Sequence, residues 1–544
     1  MLKIFMSHFA RLNIKKIKPF FKSTPFYWHL KKLQNKRKYK QVRDFTITPS
    51  IAPNDKPRNV LIFTSVALFA DHALVDQYIA GCCAAKNVNP IIVLCDERLP
   101  LCHASDRYSF LNSSSSFLLK LFQSRSCKNC QASSELLRKY SNFKVVMLSS
   151  ASSIPTHKSG ADYNNNINKS ILESAKAGFI RFLATSEKKH VEHIGNQKIH
   201  ELYKSSSFIA YSDILSLLQE YDPEFVVAHH GIYVPQGLVQ LACKQNNTIF
   251  YSWHFGYRKG TLIFSKDDTY HKELVEPLDH NYLKPLNETK KSLIVEYLAS
   301  RQSGKNDWIH FNRNPHNFLI NTRKPILTCF TSVDWDAALH FPSSCFTSQF
   351  EFLENLIEIF KSLNEFQLFI RIHPAEITGF HPSHTKTSDF LQKLSLPNNV
   401  TLIDSNDKRS SYELAKQSTA TIVYNTKMAI ELAAMNIPVI VAGDAWIKQK
   451  GFSFDVFNMN DLRKYVVNFP DLKLSAAQHE MAYAYAYYFY FMRCIDIEGL
   501  ESTGKKFSVS LNHSKINLDS SSSNSLLKII ELMLEKRAVV FDKY

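Results

Sequence analysis

Residues 366–376, FQLFIRIHPAE, and 398–442, NNVTLIDSNDKRSSYELAKQSTATIVYNTKMAIELAAMNIPVIVA, decide the fold. They hold four short apolar runs, FQLFIRI, VTLID, ATIVY and IPVIVA, and the spacers SYELAKQS and KMAIELAAMN repeat their apolar residues at helical period. Strands of this length alternating with helices predict a parallel sheet with crossover helices. The polar residues gather at the joints. Arg371, His373 and Pro374 close the first run, Ser410, Ser411 and Tyr412 open one helix, and Asn425 and Thr426 stand before the helix that carries Glu431. Open α/β sheets bind ligands beyond the carboxyl ends of their strands, and helix N-termini offer unpaired N–H groups to phosphate. These positions predict half of a nucleotide site.

Upstream, a second sheet is predicted. NVLIFTSVAL, DHALVDQYIAGCCAAKN and IIVLCDE read as strand, helix and strand after a proline-rich linker, TPSIAPNDKPRN, and FKVVMLSS supplies a third strand. The polar runs near Ser113 and from Ser152 to Lys169 read as surface loops. EFVVAHHGIYVPQGLVQLACKQNNTIFYSWHFGYRKGT continues with strand, loop, helix and strand. One strand end brings His230, Gly231 and Tyr233 to the rim, with one of the adjacent pair His229 and His230 expected to point into the core, and the next brings Trp253, His254, Tyr257, Arg258 and Lys259. Arg258 and Lys259 suit a phosphate or a carboxylated sugar, and Trp253 or Tyr257 could stack on a pyranose. Core packing for the rings and a solvated turn for the cations are the alternatives.

Residues 298–317 read as a polar link between two domains. A strand, KPILTCFTS, and a loop with Asp334 and Asp336 then restart the pattern. Either carboxylate is a candidate base or orienter of a hydroxyl, with capping or solvation as the alternative. QFEFLENLIEIFKSLN places Phe352, Leu356 and Phe360 on one helical face, a packing pattern.

The chain of 544 residues carries a net charge of +17, yet thirteen Lys and Arg precede its first acidic residue, Asp44, leaving only +4 for the rest. That distribution argues against a nucleic-acid partner. In the segment FMSHFARLNIKKIKPFFKSTPFYWHLKKLQNKRKYK the cations interleave with aromatics, which predicts either a solvated basic extension or contact with an anionic membrane surface. No GxGxxG or GxxxxGK[ST] motif occurs, so the dehydrogenase and P-loop readings lose their support. No apolar run reaches the length of a membrane span, and no signal-peptide core follows the first basic residues. A cytoplasmic protein, peripherally associated with the inner membrane, is the expectation.

Of ten cysteines, Cys82, Cys83, Cys95, Cys243, Cys329, Cys345 and Cys494 fall in or near predicted core elements and read as reduced thiols. Cys127 and Cys130 form a CxxC in what reads as a polar loop, with Cys102 and His103 upstream. Unliganded thiols are the first reading and a structural zinc at Cys102, Cys127 and Cys130 the second.

RIHPAE, SSYELAKQSTATIVYNTKMAIELAAMNIPVIVAG and KGFSFD, in this order and spacing, resemble the C-terminal half of bacterial capsule polysaccharide biosynthesis proteins, glycosyltransferases of the two-Rossmann-domain (GT-B) fold. GIYVPQG and GYRKGT resemble the same group. The resemblance implies an α/β chain with two Rossmann-like domains facing a cleft: a basic arm and linker over 1–57, an acceptor domain over 58–320, a donor domain over 321–470, and C-terminal helices over 471–544 that pack back on the first domain. It implies a metal-independent transfer from a nucleotide-sugar to a capsule or other surface glycan or glycolipid at the inner face of the membrane, with export or assembly machinery as a further partner. Donor contacts fall to Arg371, His373, Pro374, Ser411, Tyr412, Asn425 and Thr426, with Glu431 on a ribose hydroxyl. Acceptor contacts fall to Gly231, Tyr233, Trp253, Tyr257, Arg258 and Lys259, and catalysis to Asp334, Asp336 and His373. The His-Pro pair is also similar to that of Kdo and sialyltransferases, which use CMP-sugars. Asn425-Thr426 stands where those enzymes carry two hydroxyl residues, so UDP- and GDP-sugars stay open. A non-hydrolysing sugar-nucleotide epimerase and a non-catalytic scaffold are the alternatives.

Overall fold

The structure, a computed structural model, describes residues 25–44, 58–105, 116–151, 164–302, 306–308, 318–337, 344–378, 382–504, 507–519 and 523–544. Two sheets organise them. In the first, β1 (Asn59–Ser65), β2 (Asn89–Leu94), β3 (Lys144–Met147), β4 (Phe225–His229) and β5 (Ile249–Phe255) run parallel in the order 3-2-1-4-5, and β6 (Thr261–Lys266) turns back antiparallel on β5. In the second, β7 (Ile326–Phe330), β8 (Gln367–Arg371), β9 (Val400–Ile403), β10 (Ala420–Val423), β11 (Val439–Val441) and β12 (Phe454–Asp455) are all parallel, in the order 9-8-7-10-11-12. Both orders are the doubly wound, Rossmann-like one, and each reverses at one point, β1/β4 and β7/β10.

Central strands of such sheets are covered on both faces, so their sequences are apolar throughout rather than alternating. Val60, Leu61, Ile62 and Phe63 of β1 are all fully buried, as are Val226, Val227 and Ala228 of β4. The four runs of the deciding stretch are β8, β9, β10 and β11. Their spacers fold as short helices, Ser411–Lys416, capped by the Ser410 hydroxyl, and Met428–Ala434.

The chain end runs from the second domain back to the first. Helix Ala476–Tyr487 lies against Met428–Ala434 of the second domain, continues as a π-helical turn over Tyr488–Arg493, and delivers β13 (Ile495–Asp496) antiparallel to β6. Arg258 clasps this crossing. Its guanidinium pairs with both Asp496 oxygens at 2.7 and 3.1 Å, and Nε donates to the Tyr490 carbonyl at 2.8 Å. Arg258 is therefore not an acceptor contact: an arginine saturated by a carboxylate and carbonyls holds structure. Lys259 is exposed, its backbone N–H bonded to Asn306, and does not line the cleft.

The basic arm is only partly an arm. Helix α1 (Pro25–Tyr39) docks on the first domain through Asn35, Lys38, Tyr39 and, just beyond it, Val42, all buried. Lys38 pairs with Asp71 and bonds Ser508 and the Val509 carbonyl. The opposite face leaves Leu30, Lys32, Leu33, Lys36 and Arg37 exposed. Residues 1–24, which hold the rest of the aromatic-cationic pattern, lie outside the described residues. Helix α2 (Ala70–Ala85) follows β1, and α3 (Ser116–Tyr140) and α4 (Asn165–Leu183) follow β2 and β3. The CxxC of Cys127 and Cys130 thus sits within helix α3, not in a loop, and Asn165–Lys169 open α4 rather than extend a loop. Cys345, expected near the core, is exposed. Among the described residues no helix is long and apolar enough to cross a membrane.

Candidate functional site

The carboxyl ends of both sheets open onto one cleft of about 1470 Å³, room for a nucleotide-sugar and part of an acceptor together. On the second-domain side the cleft is lined at the β7/β10 reversal by Thr331, Arg371, His373, Pro374, Ser411, Tyr412, Asn425, Thr426 and Lys427. The His373 backbone N–H donates to Thr331 Oγ1 at 2.9 Å, and its Nδ1 accepts the Ala375 N–H at 3.0 Å. That acceptance fixes the tautomer with the proton on Nε2. Burial, with the Arg371 and Lys427 charges nearby, lowers the ring to about 4. His373 is therefore a neutral hydrogen-bond donor at physiological pH.

Asn425 shapes the rim. Its Oδ1 accepts the Asp444 N–H at 2.6 Å, and a Cβ on Gly443 would lie 2.3 Å from that oxygen, so only glycine fits there. Thr426 Oγ1 accepts the Met428 N–H at 3.3 Å.

Several expected roles change once the partners are visible. Arg371 is buried and donates to Ser411 Oγ at 3.2 Å and to the carbonyls of Asp404 and Asp407. Direct contact with a leaving phosphate is thus replaced by a fixed charge acting through its field. Glu431 is buried and accepts from Arg301 at 3.0 Å, Lys427 at 2.9 Å, Tyr490 at 2.8 Å and the Tyr412 hydroxyl. Burial alone would raise its carboxyl, but the Arg301 and Lys427 charges and the Tyr412 hydroxyl outweigh it and hold it at about 2. With both oxygens taken, Glu431 and Tyr412 serve a buried network rather than a ribose. The two helices expected to hold phosphate run only six and seven residues, which leaves much of the positive potential to Lys427 and Arg371. Lys427 was missed in the sequence because a lysine opening an amphipathic helix has no distinguishing signal. Burial and the Arg301 charge lower its ammonium, with Glu431 opposing.

The first-domain wall is built of imidazoles. His72 on α2, His103, His229 and His230 at the end of β4, His254 on β5 and His271 all line it. His72 stacks on His229 with centroids 3.9 Å apart; His230 lies 5.0 Å from His254 and 5.6 Å from His271. Burial, then the neighbouring rings, keep His229 and His230 well below the usual imidazole range, hence neutral. His230 adopts φ 67°, a left-handed conformation rare for a non-glycine residue. His229 Nε2 and His230 Nδ1 are buried without a hydrogen-bond partner among the described residues. Of these, the sequence pointed to the adjacent pair His229-His230 and to His254 as rim residues. His72, His103 and His271 come from three other segments that only the fold brings together.

Of the expected acceptor residues, Tyr257 lines this lobe, its ring under Lys427 Nζ at 4.7 Å. Trp253 does not: it is buried in the core, its indole N–H donating to Asp76 at 2.7 Å, so it cannot stack on a sugar. Gly231, at φ 70°, turns the chain after β4 behind the wall. Tyr233 and the two aspartates are engaged in contacts within the protein. Asp334 accepts from Ser186 N and Oγ, both at 2.9 Å, while Asp336 accepts from the Tyr233 hydroxyl at 3.1 Å and Arg181 at 3.3 Å. Both carboxylates thus latch the second domain to the first. Burial raises the Asp334 carboxyl to about 6 against the Ser186 hydrogen bonds.

Two Rossmann-like domains whose strand ends face across one cleft, joined by a crossing C-terminal helix, define the GT-B architecture. Residues 279–491 match the family model described as capsule polysaccharide biosynthesis protein. No curated protein matches the chain. Among solved structures it is similar to two transferase parts of KpsC from Thermosulfurimonas dismutans. The β-Kdo 2,4-transferase is 12% identical, covering 48% of this chain and 79% of that one with a TM-score of 0.35. The β-Kdo 2,7-transferase is 12% identical, with 59% and 89% covered and a TM-score of 0.32. A glycosyltransferase from Rickettsia africae is 10% identical, with 89% and 99% covered and a TM-score of 0.28. These are likenesses of chain trace alone.

Proposed function

We propose that the protein is a glycosyltransferase of capsule or other surface polysaccharide assembly, using a nucleotide-sugar donor in the second domain and a saccharide acceptor in the histidine lobe of the first. One observation carries this reading: His373, Thr426 and Lys427 at the β7/β10 reversal face buried, neutral imidazoles at the β1/β4 reversal across a single cleft. The donor side offers what a departing nucleotide phosphate needs, an N–H donor from His373 Nε2 and a positive field from Lys427 and Arg371. As the anomeric C–O bond to phosphate breaks, its electron pair stays on the phosphate oxygen. The acceptor hydroxyl forms the new bond and gives its proton to a neutral imidazole of the cleft wall, for which His230 is the candidate. The aspartates are committed to the domain latch and do not take this role. Nothing in this scheme calls for a metal ion. The exposed face of α1, leucines among lysines, supports an anionic membrane surface beside the cleft, which Lys31 and Gln34 of the same helix line.

A thermal-unfolding panel of CMP-, UDP- and GDP-sugars tests the reading. A donor at 100 times its dissociation constant should stabilise the fold by about 2.7 kcal/mol. His230→Gln should keep that shift and lose transfer to an oligosaccharide acceptor. If no nucleotide-sugar shifts unfolding and none is consumed, the reading is wrong.

A further inference from the structure

At the carboxyl end of β11 the chain turns through Gly443 and Asp444. This strand lies beside β10, with Val441 paired in parallel to Val423, so Asp444 stands next to Asn425, and both line the cleft. The Asp444 N–H donates to Asn425 Oδ1 at 2.6 Å. That bond sets the amide: its oxygen is taken by the backbone, and its NH2 group faces the other way. Behind Asp444 stands a buried lysine. Lys448 donates to Asp444 Oδ1 at 3.0 Å and to the Gly443 carbonyl at 2.9 Å. Among the described residues Asp444 Oδ2 accepts no hydrogen bond and Asn425 Nδ2 donates none.

These two groups have a definite complement. A carboxylate oxygen accepts, an amide NH2 donates, and each hydroxyl of a neighbouring pair does both. The carboxylate repels phosphate and carboxylated sugars alike, whereas His373, Thr426 and Lys427, the groups suited to phosphate, lie just past β8 and β10. Beyond β10, β11 is the next strand, about 4.8 Å farther on. A donor with its phosphate at the reversal therefore brings a sugar ring to Asp444. Leaving one oxygen of a carboxylate that is 6% exposed without a partner is costly to the fold, and a ligand hydroxyl removes that cost.

Given a donor phosphate at the β7/β10 reversal, as the proposed function has it, we propose that Asp444 and Asn425 recognise two neighbouring hydroxyls of the nucleotide-sugar, the carboxylate accepting and the amide donating. Such a pair comes from the ribose or from the transferred sugar, and the chemistry at Asp444 is the same for both. Lys448 does not line the cleft and acts as a positioning residue, holding Oδ1 so that Oδ2 meets the ligand.

Calorimetric titration of the full chain decides it, with CMP, UDP and GDP, their 2′,3′-dideoxy forms, and the CMP-, UDP- and GDP-sugars as probes. Asp444→Ala should bind the preferred nucleotide-sugar about 10- to 150-fold more weakly than wild type, the range for a hydrogen bond to a charged group. If ribose is the source, the free nucleotide shows the same loss and its dideoxy form shows none. If the transferred sugar is the source, the free nucleotide binds both proteins alike and only the nucleotide-sugar registers the loss. Lys448→Met should follow the same selectivity, weakening ligands that carry the hydroxyls and sparing those that lack them, which a purely structural lysine would not do. Should Asp444→Ala misfold, Asp444→Asn, of nearly the same size, is expected to show the same pattern of losses. Equal affinity of wild type and a folded Asp444 variant for every bound probe overturns the pair and leaves the donor site standing. Binding of no probe by wild type overturns both.

Discussion

His373 owes its properties to three neighbours rather than to its own chemistry. The Ala375 N–H on Nδ1 fixes the proton on Nε2, and burial beside Arg371 and Lys427 keeps the ring neutral across the physiological range. Thr426 lies on the same rim, one strand beyond the reversal. If both hold the donor phosphate, His373→Ala and Thr426→Ala should each reduce turnover by about 10- to 150-fold, the range for losing a hydrogen bond to a charged group. The double variant should lose less than the product of the two. Steady-state kinetics on folded protein decides this, and wild-type turnover in His373→Ala would remove the histidine from the site.

At the scale of elements, α1 has two faces with separate work. Tyr39 and Lys38 anchor it, so deleting the whole arm would expose core and confuse unfolding with release. Reversing Lys32, Lys36 and Arg37 to Glu leaves that anchor untouched. Each cation near an anionic surface contributes about 1 kcal/mol, so liposome affinity should fall at least a hundredfold with unfolding temperature unchanged. Equal co-sedimentation of variant and wild type with anionic vesicles would leave the helix a structural element only.

For the whole molecule, the Asp334–Ser186 latch ties domain closure to pH. The folded-state carboxyl lies near 6, above the ordinary aspartate value of about 3.9, so the folded chain binds the proton more tightly than the unfolded one. Its contribution is complete below about pH 4 and lost as pH rises through 6, on the order of 2 kcal/mol. Asp334→Asn keeps an acceptor for Ser186 without the charge. It should flatten the dependence of unfolding temperature on pH between 4 and 6 and leave neutral-pH stability equal or higher. An unchanged pH profile would show that Asp334 does not titrate in this window.

The sequence by itself determined both parallel sheets, because strands buried on two faces must be continuously apolar and the helices between them must carry a 3.6-residue period. It also determined the rim positions of His373, Asn425 and Thr426, since a strand end is legible as the point where the apolar run stops. It could not say which polar residues are spent on the fold. Arg258 and Glu431 are sound ligand candidates by type and place, yet Asp496 and the Arg301–Lys427 pair, each distant or unremarkable in the chain, consume them. Nor could it assemble the histidine wall, or tell that Cys102, Cys127 and Cys130 stand in no group of three metal-type ligands among the described residues. Local pattern writes the backbone because hydrogen bonding and burial are local constraints. Partnership between side chains is set by tertiary contact, and so is the chemistry each is left free to perform.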